Sequence, residues 1–409
     1  MSARRVVITG VGLTTPIGHS LDAVSASLRE LRHGIQPWPQ WATEGQLTTL
    51  LAAPVKDLDL STLPRKKVRT MGRVSLLSAY ASDRAVEDSG LPADYLASGE
   101  VGLAYGSTHG SSAELVDFCA RFFKNRSLIG TPPTSYLKFM SHTTSANLAT
   151  YYGIQGRVIS TCAACVSASL AVGAGYEAIR HGIHDTMICG GAEELHFSHA
   201  GIFEILFAAS HKYNDQPDRS PRAFDVARDG LVVGEGAGTL VLESLERAQA
   251  RGAKIHAEVL GYGTNCDGGH LTNPSADGMA RVMRLALKDA QIEPTGIDYI
   301  NAHGTATEQG DLAESQASYQ VFGDGVPISS TKGYTGHTLG ACGAIEVAFC
   351  LAMMRDGFLA PNRNLDEVDP RCAPLDYVRK EPRAAKPRTV MSNNFAFGGI
   401  NTSLILRHW

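Results

Sequence analysis

The chain has 409 residues, of which 44% are apolar and 19% are charged, and its formal net charge is -4. These values are typical of a well-packed globular protein with two units sharing a large core. The mild acidity excludes a general nucleic-acid binder, which needs a broad basic surface. No apolar stretch approaches the roughly 20 residues that span a bilayer, and the first residues lack a signal-peptide core. We therefore expect a cytoplasmic protein that binds neither nucleic acid nor membrane.

The first half of the sequence alternates strand and helix patterns. A buried strand is predicted at 5–9 and is followed by a glycine turn at 10–12. Residues 32–65 are expected to be irregular, and 108–140 to form an insertion with helical pieces. The remaining predicted strands cover 101–105, 157–161 and 185–189, and the predicted helices cover about 20–31, 69–89, 145–152 and 165–181.

The second half repeats this style. Strands are predicted at 238–245, 255–264, 299–302, 389–393 and 402–407, and helices at 279–290 and 342–356. The alternation indicates an α/β protein with layered sheets and helices. A weakly marked boundary near Arg251-Gly252 divides the chain into 1–250 and 251–409.

Cys165 is the first candidate for chemistry, because it stands where a strand gives way to a helix rich in Ala, Ser and Gly. Unpaired N–H groups and the helix dipole at such a position lower a thiol pKa and favour the thiolate. The same N–H groups can hold an oxyanion. Taken alone, however, a cysteine in an apolar segment is more often structural.

The chain has eight scattered cysteines, which predict buried or catalytic thiols and no disulfide framework. Cys162 forms a CxxC pair with Cys165. Zinc binding is disfavoured because no second CxxC or HxxxH pair is present. Cys162 is expected to be a packing residue, but a redox pair or an inactivating disulfide with Cys165 stays open.

Two histidines and a glycine loop complete the candidate site. His303 follows a predicted strand within NAHGTAT, and His337 ends KGYTGH, which begins at Lys332. Strand C-termini are where α/β folds place their chemistry, although either histidine alone could be structural. Near the C-terminus, Phe397 precedes two glycines in NNFAFGGIN, which suggests a movable side chain or an ordinary turn.

These segments occur in order with VVITGVGLTTPIG, GGAEE, RDGLVVGEGAG and STKGYTGHTLGACGAIE. Together, over essentially the whole chain, they resemble the β-ketoacyl-acyl-carrier-protein synthases, most closely the elongating type II class of the thiolase superfamily. The resemblance implies a five-layered α-β-α-β-α fold of two similar halves, normally in a homodimer. The half 1–250 would hold the nucleophile and the dimer interface, and 251–409 the histidine pair and a gating loop.

The resemblance also implies residue roles. Cys165 is similar to the nucleophile, and His303 and His337 to the catalytic pair. Lys332 is similar to the lysine that supports the second histidine. The backbone N–H groups of Cys165 and Phe397 would form the oxyanion hole. Phosphopantetheine-binding and pocket positions are implied at Thr305, Thr307, Phe203 and Phe395.

The implied reaction is a decarboxylative Claisen condensation between an acyl group on Cys165 and a malonyl thioester. Largely neutral histidines would donate hydrogen bonds to the thioester oxygen. The family uses no metal and no organic cofactor beyond the phosphopantetheine arm of an acyl carrier protein. The product would enter fatty-acid synthesis or a specialised polyene-like or polyketide-like pathway.

The implied carrier is a small acidic protein, so a basic cluster is a candidate docking surface. Steered docking would depend on salt, although a charge run is usually only a solvated face. No acidic residue lies between 65 and 73, and the cluster consists of Arg65, Lys66, Lys67, Arg69 and Arg73.

Several positions depart from the elongating pattern. Ala396 replaces a usual glycine and is expected to stiffen the gate. Thr108 and His109 stand where glycine and an aliphatic pocket residue are usual, so His109 is expected to shorten the acyl tunnel or to favour an unusual acyl chain. Phe207 stands where a carrier-contacting arginine is common. These departures favour a specialised pathway.

Other classes fit less well. A degradative thiolase would carry a second catalytic cysteine in the C-terminal glycine loop, where this chain has Phe397. A non-catalytic chain-length factor loses the nucleophile, whereas Cys165 is present. A cysteine hydrolase needs one histidine and no carrier patch. A non-degradative thiolase-type acyltransferase, or a subunit of a ketosynthase heterodimer, stays as the alternative.

Overall fold

The computed structural model describes residues 3–409 and confirms the alternating α/β pattern. Its strands are β1 Val6–Thr14, β2 Gln36–Pro37, β3 Leu51–Ala53, β4 Val101–Gly106, β5 Val158–Thr161, β6 Thr186–Glu193, β7 Val233–Gly234, β8 Gly236–Ser244, β9 Ala257–Cys266, β10 Tyr299–Asn301, β11 Pro327–Ser329, β12 Phe358–Leu359, β13 Asp376–Tyr377, β14 Arg383–Ala384, β15 Thr389–Phe395 and β16 Ile400–His408. Its helices are α1 Leu21–Arg29, α2 Trp41–Glu44, α3 Arg73–Ser89, α4 Ala93–Leu96, α5 Ser112–Asn125, α6 Ser135–Phe139, α7 Thr143–Tyr152, α8 Ser167–Arg180, α9 Phe197–Ile205, α10 Leu245–Ala250, α11 Ala276–Ala290, α12 Glu308–Phe322, α13 Lys332–Thr335 and α14 Cys342–Asp356. None of the helices within residues 3–409 is long and apolar enough to cross a membrane.

The glycine turn predicted at 10–12 is wrong, because β1 continues through it to Thr14. Helix α3 packs on this stretch of the strand. A Cβ atom at Gly10 would lie 2.2 Å from the carbonyl oxygen of Ala85, and one at Gly12 would lie 1.9 Å from that of Ala81. The glycines therefore allow a helix backbone to approach a strand, and they do not end the strand.

An eleven-stranded sheet runs through both halves in the order β13-β11-β10-β15-β16-β9-β1-β8-β6-β4-β5. The halves join where Val6–Ile8 of β1 pairs antiparallel with Ala257–Val259 of β9. On each side, antiparallel strands lie near the junction and parallel strands lie farther out. Strand C-termini of both halves therefore face a shared region.

Two central helices separate the halves of this sheet. Helix α8 contacts β4 and β6 of the N-terminal half and β9 and β16 of the C-terminal half, and α14 contacts β6, β8 and β15. Helix α3 covers the outer face of one half, and α11 and α12 cover that of the other. The chain thus has five layers, and α14 is buried over most of its length because it has sheet on both sides.

Candidate active site

Cys165 lies in a 3-10 turn, Ala164–Val166, between β5 and α8. The Ser167 hydroxyl fixes this turn, because it accepts the Ala163 N–H at 2.9 Å and donates to the Ala164 carbonyl at 2.8 Å. The Cys165 side chain is only 5% exposed. The sequence thus correctly placed the thiol at a strand-to-helix passage, one turn before the regular helix begins.

His337 is the histidine in contact with the thiol, with 3.0 Å between its Nε2 and the Cys165 Sγ. The Leu339 N–H donates to Nδ1 of the same ring at 3.3 Å. Because a neutral imidazole carries one proton, this bond places it on Nε2, facing the sulfur. Burial, and to a smaller degree Lys332, lowers the pKa of His337 well below its usual value, so the ring is neutral.

His303 presents a second N–H beside the first. Its ring centroid lies 5.1 Å from that of His337, with the planes at 85°. The Lys332 ammonium lies 3.3 Å from the His303 Nδ1 and donates to it, which places the ring proton on Nε2. Burial, followed by Lys332 and His337, lowers the pKa of His303 well below its usual value. Both histidines are therefore neutral donors.

Lys332 is held by a buried acid, not by the second histidine. Its Nζ lies 2.5 Å from Oε1 of Glu346, and the other oxygen of Glu346 accepts the Asn394 amide at 2.7 Å. Burial lowers the pKa of Lys332, but Glu346 outweighs it and leaves that pKa raised. The implied support of His337 by Lys332 is thus corrected, because the hydrogen bond from the ammonium goes to His303.

Glu314 is a second buried acid that the sequence reading missed. Its two oxygens accept the backbone N–H groups of His303 at 2.8 Å and Gly304 at 2.7 Å. Burial raises the pKa of Glu314 to about 8. Glu346, also missed, left a visible signal, because it is a lone acidic residue in the apolar run 342–354. Such a charge is seldom buried without a partner.

The expectation of a lowered thiol pKa at Cys165 is wrong for the resting protein. Burial raises the pKa of Cys165 to about 12, while Lys332 opposes and Glu193 adds to this rise. Removal of water from the thiolate is the largest cause of this rise. Cys165 is therefore a neutral thiol at pH 7.

The two backbone N–H groups of the implied oxyanion hole are candidates for this role. Within residues 3–409, neither the Cys165 N–H nor the Phe397 N–H donates to another backbone carbonyl. The Phe397 ring packs against Phe203, with 5.6 Å between their centroids. Ala396 does not have a positive φ, whereas Gly398 and Gly399 have φ of 92° and 73°, so alanine fits the first position of this loop without strain.

A cavity of about 270 Å³ opens above the thiol. Most of the residues predicted for the site line it: Cys165, Phe203, His303, Thr305, Thr307, His337, Phe395 and Phe397. Lys332 lies behind His303. The hydroxyl oxygens of Thr305 and Thr307 are 2.9 Å apart, so they present a joint polar edge.

Thr108 and His109 do not line this cavity, and the expectation that His109 affects the acyl tunnel stays a prediction. Their loop lies beside the turn that carries Cys165, because the Ser167 hydroxyl also approaches the Ser107 carbonyl at 3.2 Å, and the Thr108 N–H donates to Glu193 at 3.0 Å. The His109 ring contacts His199 instead, at 5.1 Å between centroids. Ser112 completes this polar group with a 2.8 Å bond to the His199 ring.

The CxxC pair is reduced in the structure, where all cysteines of residues 3–409 are free thiols. Cys162 is exposed and donates to the Thr108 carbonyl at 2.8 Å, so its thiol points away from Cys165 toward the neighbouring loop. The expected packing role of Cys162 stays a prediction.

Cys165, His303 and His337 are also the group within residues 3–409 whose ligand atoms, within 4.8 Å of one another, could hold a metal. The bonds to both Nδ1 atoms, however, place the ring protons on the two Nε2 atoms, and that of His337 faces the sulfur at 3.0 Å. The set is therefore arranged to donate hydrogen bonds.

The predicted basic cluster divides into two kinds of residue. Arg65, Lys66, Lys67 and Arg69 are exposed. Arg73 is paired instead, because its guanidinium makes two bonds of 2.5 and 2.7 Å to the buried carboxylate of Glu235, and its side chain remains 41% exposed. A role of Arg73 in docking stays a prediction.

Three exposed apolar side chains form an apolar rim on one side of the cavity mouth. Phe207 is 96% exposed, Leu271 is 72% exposed and Leu206 is 41% exposed, and all three line the opening. The Leu271 carbonyl accepts the Gly398 N–H at 2.7 Å, so the rim is tied to the loop that carries Phe397.

Comparison with known proteins agrees with this geometry. The family model of the β-ketoacyl synthase N-terminal domain matches residues 3–248, and that of the C-terminal domain matches 256–366. The chain belongs to the β-ketoacyl synthase family. It is 39% identical over 406 residues to 3-oxoacyl-[acyl-carrier-protein] synthase 1 of Escherichia coli K12, with 99% of each chain covered.

Solved β-ketoacyl synthases share the whole fold. A β-ketoacyl synthase from Burkholderia phymatum is 48% identical, with a TM-score of 0.96, 99% of this chain covered and 100% of the other. The ishigamide ketosynthase/chain length factor is 36% identical, with a TM-score of 0.92 and complete coverage of both chains. The five-layered thiolase-like fold expected from the sequence is thereby confirmed. The division at 250/251 stays a prediction.

Proposed function

We propose that this chain is a 3-oxoacyl-[acyl-carrier-protein] synthase that extends an acyl group held on Cys165 by condensation with a malonyl thioester. One observation carries the proposal: the Cys165 sulfur and the Nε2–H groups of His303 and His337 converge in one buried cavity. A thiol hydrolase would need only one of these histidines.

The first step is acyl transfer. The Cys165 sulfur attacks the carbonyl of an acyl thioester, a new C–S bond forms, and the carrier's C–S bond breaks. The carrier thiol leaves with the proton that Cys165 gives up, so charge is balanced overall. The N–H groups of Cys165 and Phe397 would hold the oxyanion of the tetrahedral intermediate.

The second step is decarboxylation and condensation. The C–C bond to the malonyl carboxylate breaks and CO2 leaves. The electron pair of that bond stays on the α-carbon and forms an enolate, whose oxygen the two Nε2–H groups stabilise. The α-carbon then attacks the acyl-Cys165 carbonyl, and the sulfur departs and takes up a proton. Neutral histidines suit this step, because each offers one donor without the desolvation cost of a buried cation.

The carrier would present both substrates on a phosphopantetheine arm, and no other cofactor is needed. The arm would pass between the apolar rim and the Thr305–Thr307 edge, whose hydroxyls can bond its amides. The exposed cations Arg65, Lys66, Lys67 and Arg69 would meet an acidic carrier. We place this reaction in the cytoplasm.

The pathway is proposed as fatty-acid or polyketide-like synthesis. The relative from E. coli is named as a carrier-protein synthase, and the ishigamide protein is a ketosynthase paired with a chain length factor. A homodimer is therefore one proposed assembly and a heterodimer the other. Cys165 favours the catalytic role in either.

The test is intact-mass spectrometry after incubation with acyl-carrier proteins of different chain lengths, followed by malonyl-carrier protein. We expect an acyl adduct that maps to Cys165 and disappears on malonyl addition, with a product two carbons longer. Cys162→Ala should retain the adduct and Cys165→Ala should lose it. No adduct, or an adduct on Cys162, would overturn the assignment.

A further inference from the structure

Arg228 is a buried arginine next to the cavity that the mechanism above does not use. It is 8% exposed. Its Nη1 donates to Asp369 at 2.7 Å. Its Nε donates to the carbonyl of Thr307 at 3.3 Å and its Nη2 to that of Glu308 at 3.1 Å. The guanidinium fork therefore holds two successive carbonyls at the end of the Thr305–Thr307 edge.

The same turn is held from its other side. Asp311, whose carboxylate lies 3.7 Å from Arg228, accepts the Ala306 N–H at 3.1 Å. The Gly230 N–H donates to the Ala306 carbonyl at 3.1 Å. Ala306 has a φ of 65°, which is left-handed and strained for alanine. The turn keeps this conformation because the surrounding bonds outweigh its cost.

The residues after Arg228 reach the rim of the cavity. The Asp229 carboxylate accepts the Ser210 hydroxyl at 2.8 Å and the backbone N–H groups of His211 and Lys212 at 2.9 and 2.8 Å. The Leu231 N–H donates to the Ala208 carbonyl at 2.8 Å. The loop 228–231 thus ties the threonine edge to the segment that follows Phe207.

We propose that Arg228 is a positioning residue that sets the two threonine hydroxyls for the phosphopantetheine arm. It touches no substrate and acts through the 305–308 backbone. The inference rests on the proposed function, since that function supplies the arm. Loss of the Arg228 guanidinium should weaken the binding of substrates that have the arm and leave the chemistry at Cys165 in place.

The experiment compares two thioesters with the same acyl group: the acyl-pantetheine, which has the whole arm, and the acyl-N-acetylcysteamine, which has only its last part. Arg228→Lys keeps the charge for Asp369 but lacks the planar fork. We expect KM for the pantetheine thioester to rise about tenfold, which one lost hydrogen bond to a charged group allows. The kcat should change less than about twofold.

The matched control is Arg222→Lys. Arg222 is equally buried and pairs with Asp225 at 2.9 Å and Asp366 at 2.8 Å, but it does not contact the 305–308 turn. The control should keep the wild-type ratio of kcat/KM between the two thioesters. Thermal unfolding of both variants verifies that they fold. If Arg228→Lys does not fold, Asp369→Asn serves as the second variant.

The outcomes separate the two proposals. A ratio that falls about tenfold in Arg228→Lys alone supports the positioning role. An equal loss on both thioesters, or an unchanged ratio, overturns it. If the wild-type protein accepts neither thioester on Cys165, the proposed function itself fails.

Discussion

The buried centre and the cavity mouth are built in opposite ways. At the centre, Lys332 is 2% exposed and Glu346 is 3% exposed, and each polar atom between them and the histidines has a specific partner. At the mouth, Phe207 is 96% exposed and Leu271 is 72% exposed. Removing one member of a buried polar network destabilises the folded protein, whereas changing an exposed rim residue does not. The chemistry is therefore fixed at the centre, and the mouth is free to differ.

The departures from the elongating pattern follow this division. Phe207 is at the rim, and His109 lies beside the nucleophile turn, against His199. The trio of Cys165 and the two histidines is intact. Differences in the partner that docks or the acyl chain that enters can thus arise without change to the condensing groups.

The largest expected effect comes from breaking the centre. In Glu346→Gln, Lys332 loses its counter-charge, so burial favours the neutral amine and weakens its bond to His303. We expect condensation to fall about 100-fold, the size of one lost oxyanion donor, while acylation of Cys165 continues. Release of CO2 from malonyl-carrier protein and the mass of the acyl-enzyme measure the two steps separately.

Glu87→Gln is the control for this change, because Glu87 is an exposed acid on α3 with a 3.8 Å contact to Arg84. It should leave both steps unchanged. Condensation within about threefold of wild type in Glu346→Gln would show that the Lys332 pair does not support the histidines.

An intermediate effect is expected at the exposed cations. Replacing Arg65, Lys66 and Arg69 together by alanine should raise KM for the carrier about tenfold at low salt, and the difference should shrink as salt screens the charges. Thermal stability should change little, since the three side chains are exposed.

Arg73→Ala sharpens the contrast, because it leaves the buried Glu235 carboxylate without its cation. It should lower the free energy of unfolding by about 1–2 kcal/mol, since solvent screens the partly exposed Arg73 while Glu235 is buried, with little change in the salt dependence of KM. If Arg73→Ala raised KM for the carrier as much as the triple variant does, with the same salt dependence, Arg73 would belong with the exposed cations.

The sequence predicted most of the site because the motifs name residues at strand and helix ends. The backbone then carries Cys165, His303 and His337 to one region. The sequence could not predict the buried partners, since Glu314 and Glu346 act from helices α12 and α14. Their contacts depend on how these helices pack, which no local pattern specifies.

The same limit explains the errors in the fold. The local sequence pattern predicts a turn at Gly10 and Gly12, because it does not include α3, which packs on them. Helix α12 was not predicted, since EQGDLAESQASYQVF has no continuous apolar stripe. The raised pKa of Cys165 arises from burial, which also belongs to the tertiary structure.

The smallest expected effect concerns pH at Glu193, a buried acid behind the nucleophile. One oxygen accepts the N–H groups of Thr108 and Gly340, the other has no partner, and burial raises the pKa to about 8. Because the folded pKa is above the unfolded value, this group's stabilising contribution is complete below pH 4.5 and is lost as pH rises through 8. Glu193→Gln cannot ionise and resembles the protonated acid. Its melting temperature should equal that of wild type at about pH 4 and exceed it by a few degrees at about pH 9; an equal difference at both pH values would show that folding does not raise the pKa of Glu193.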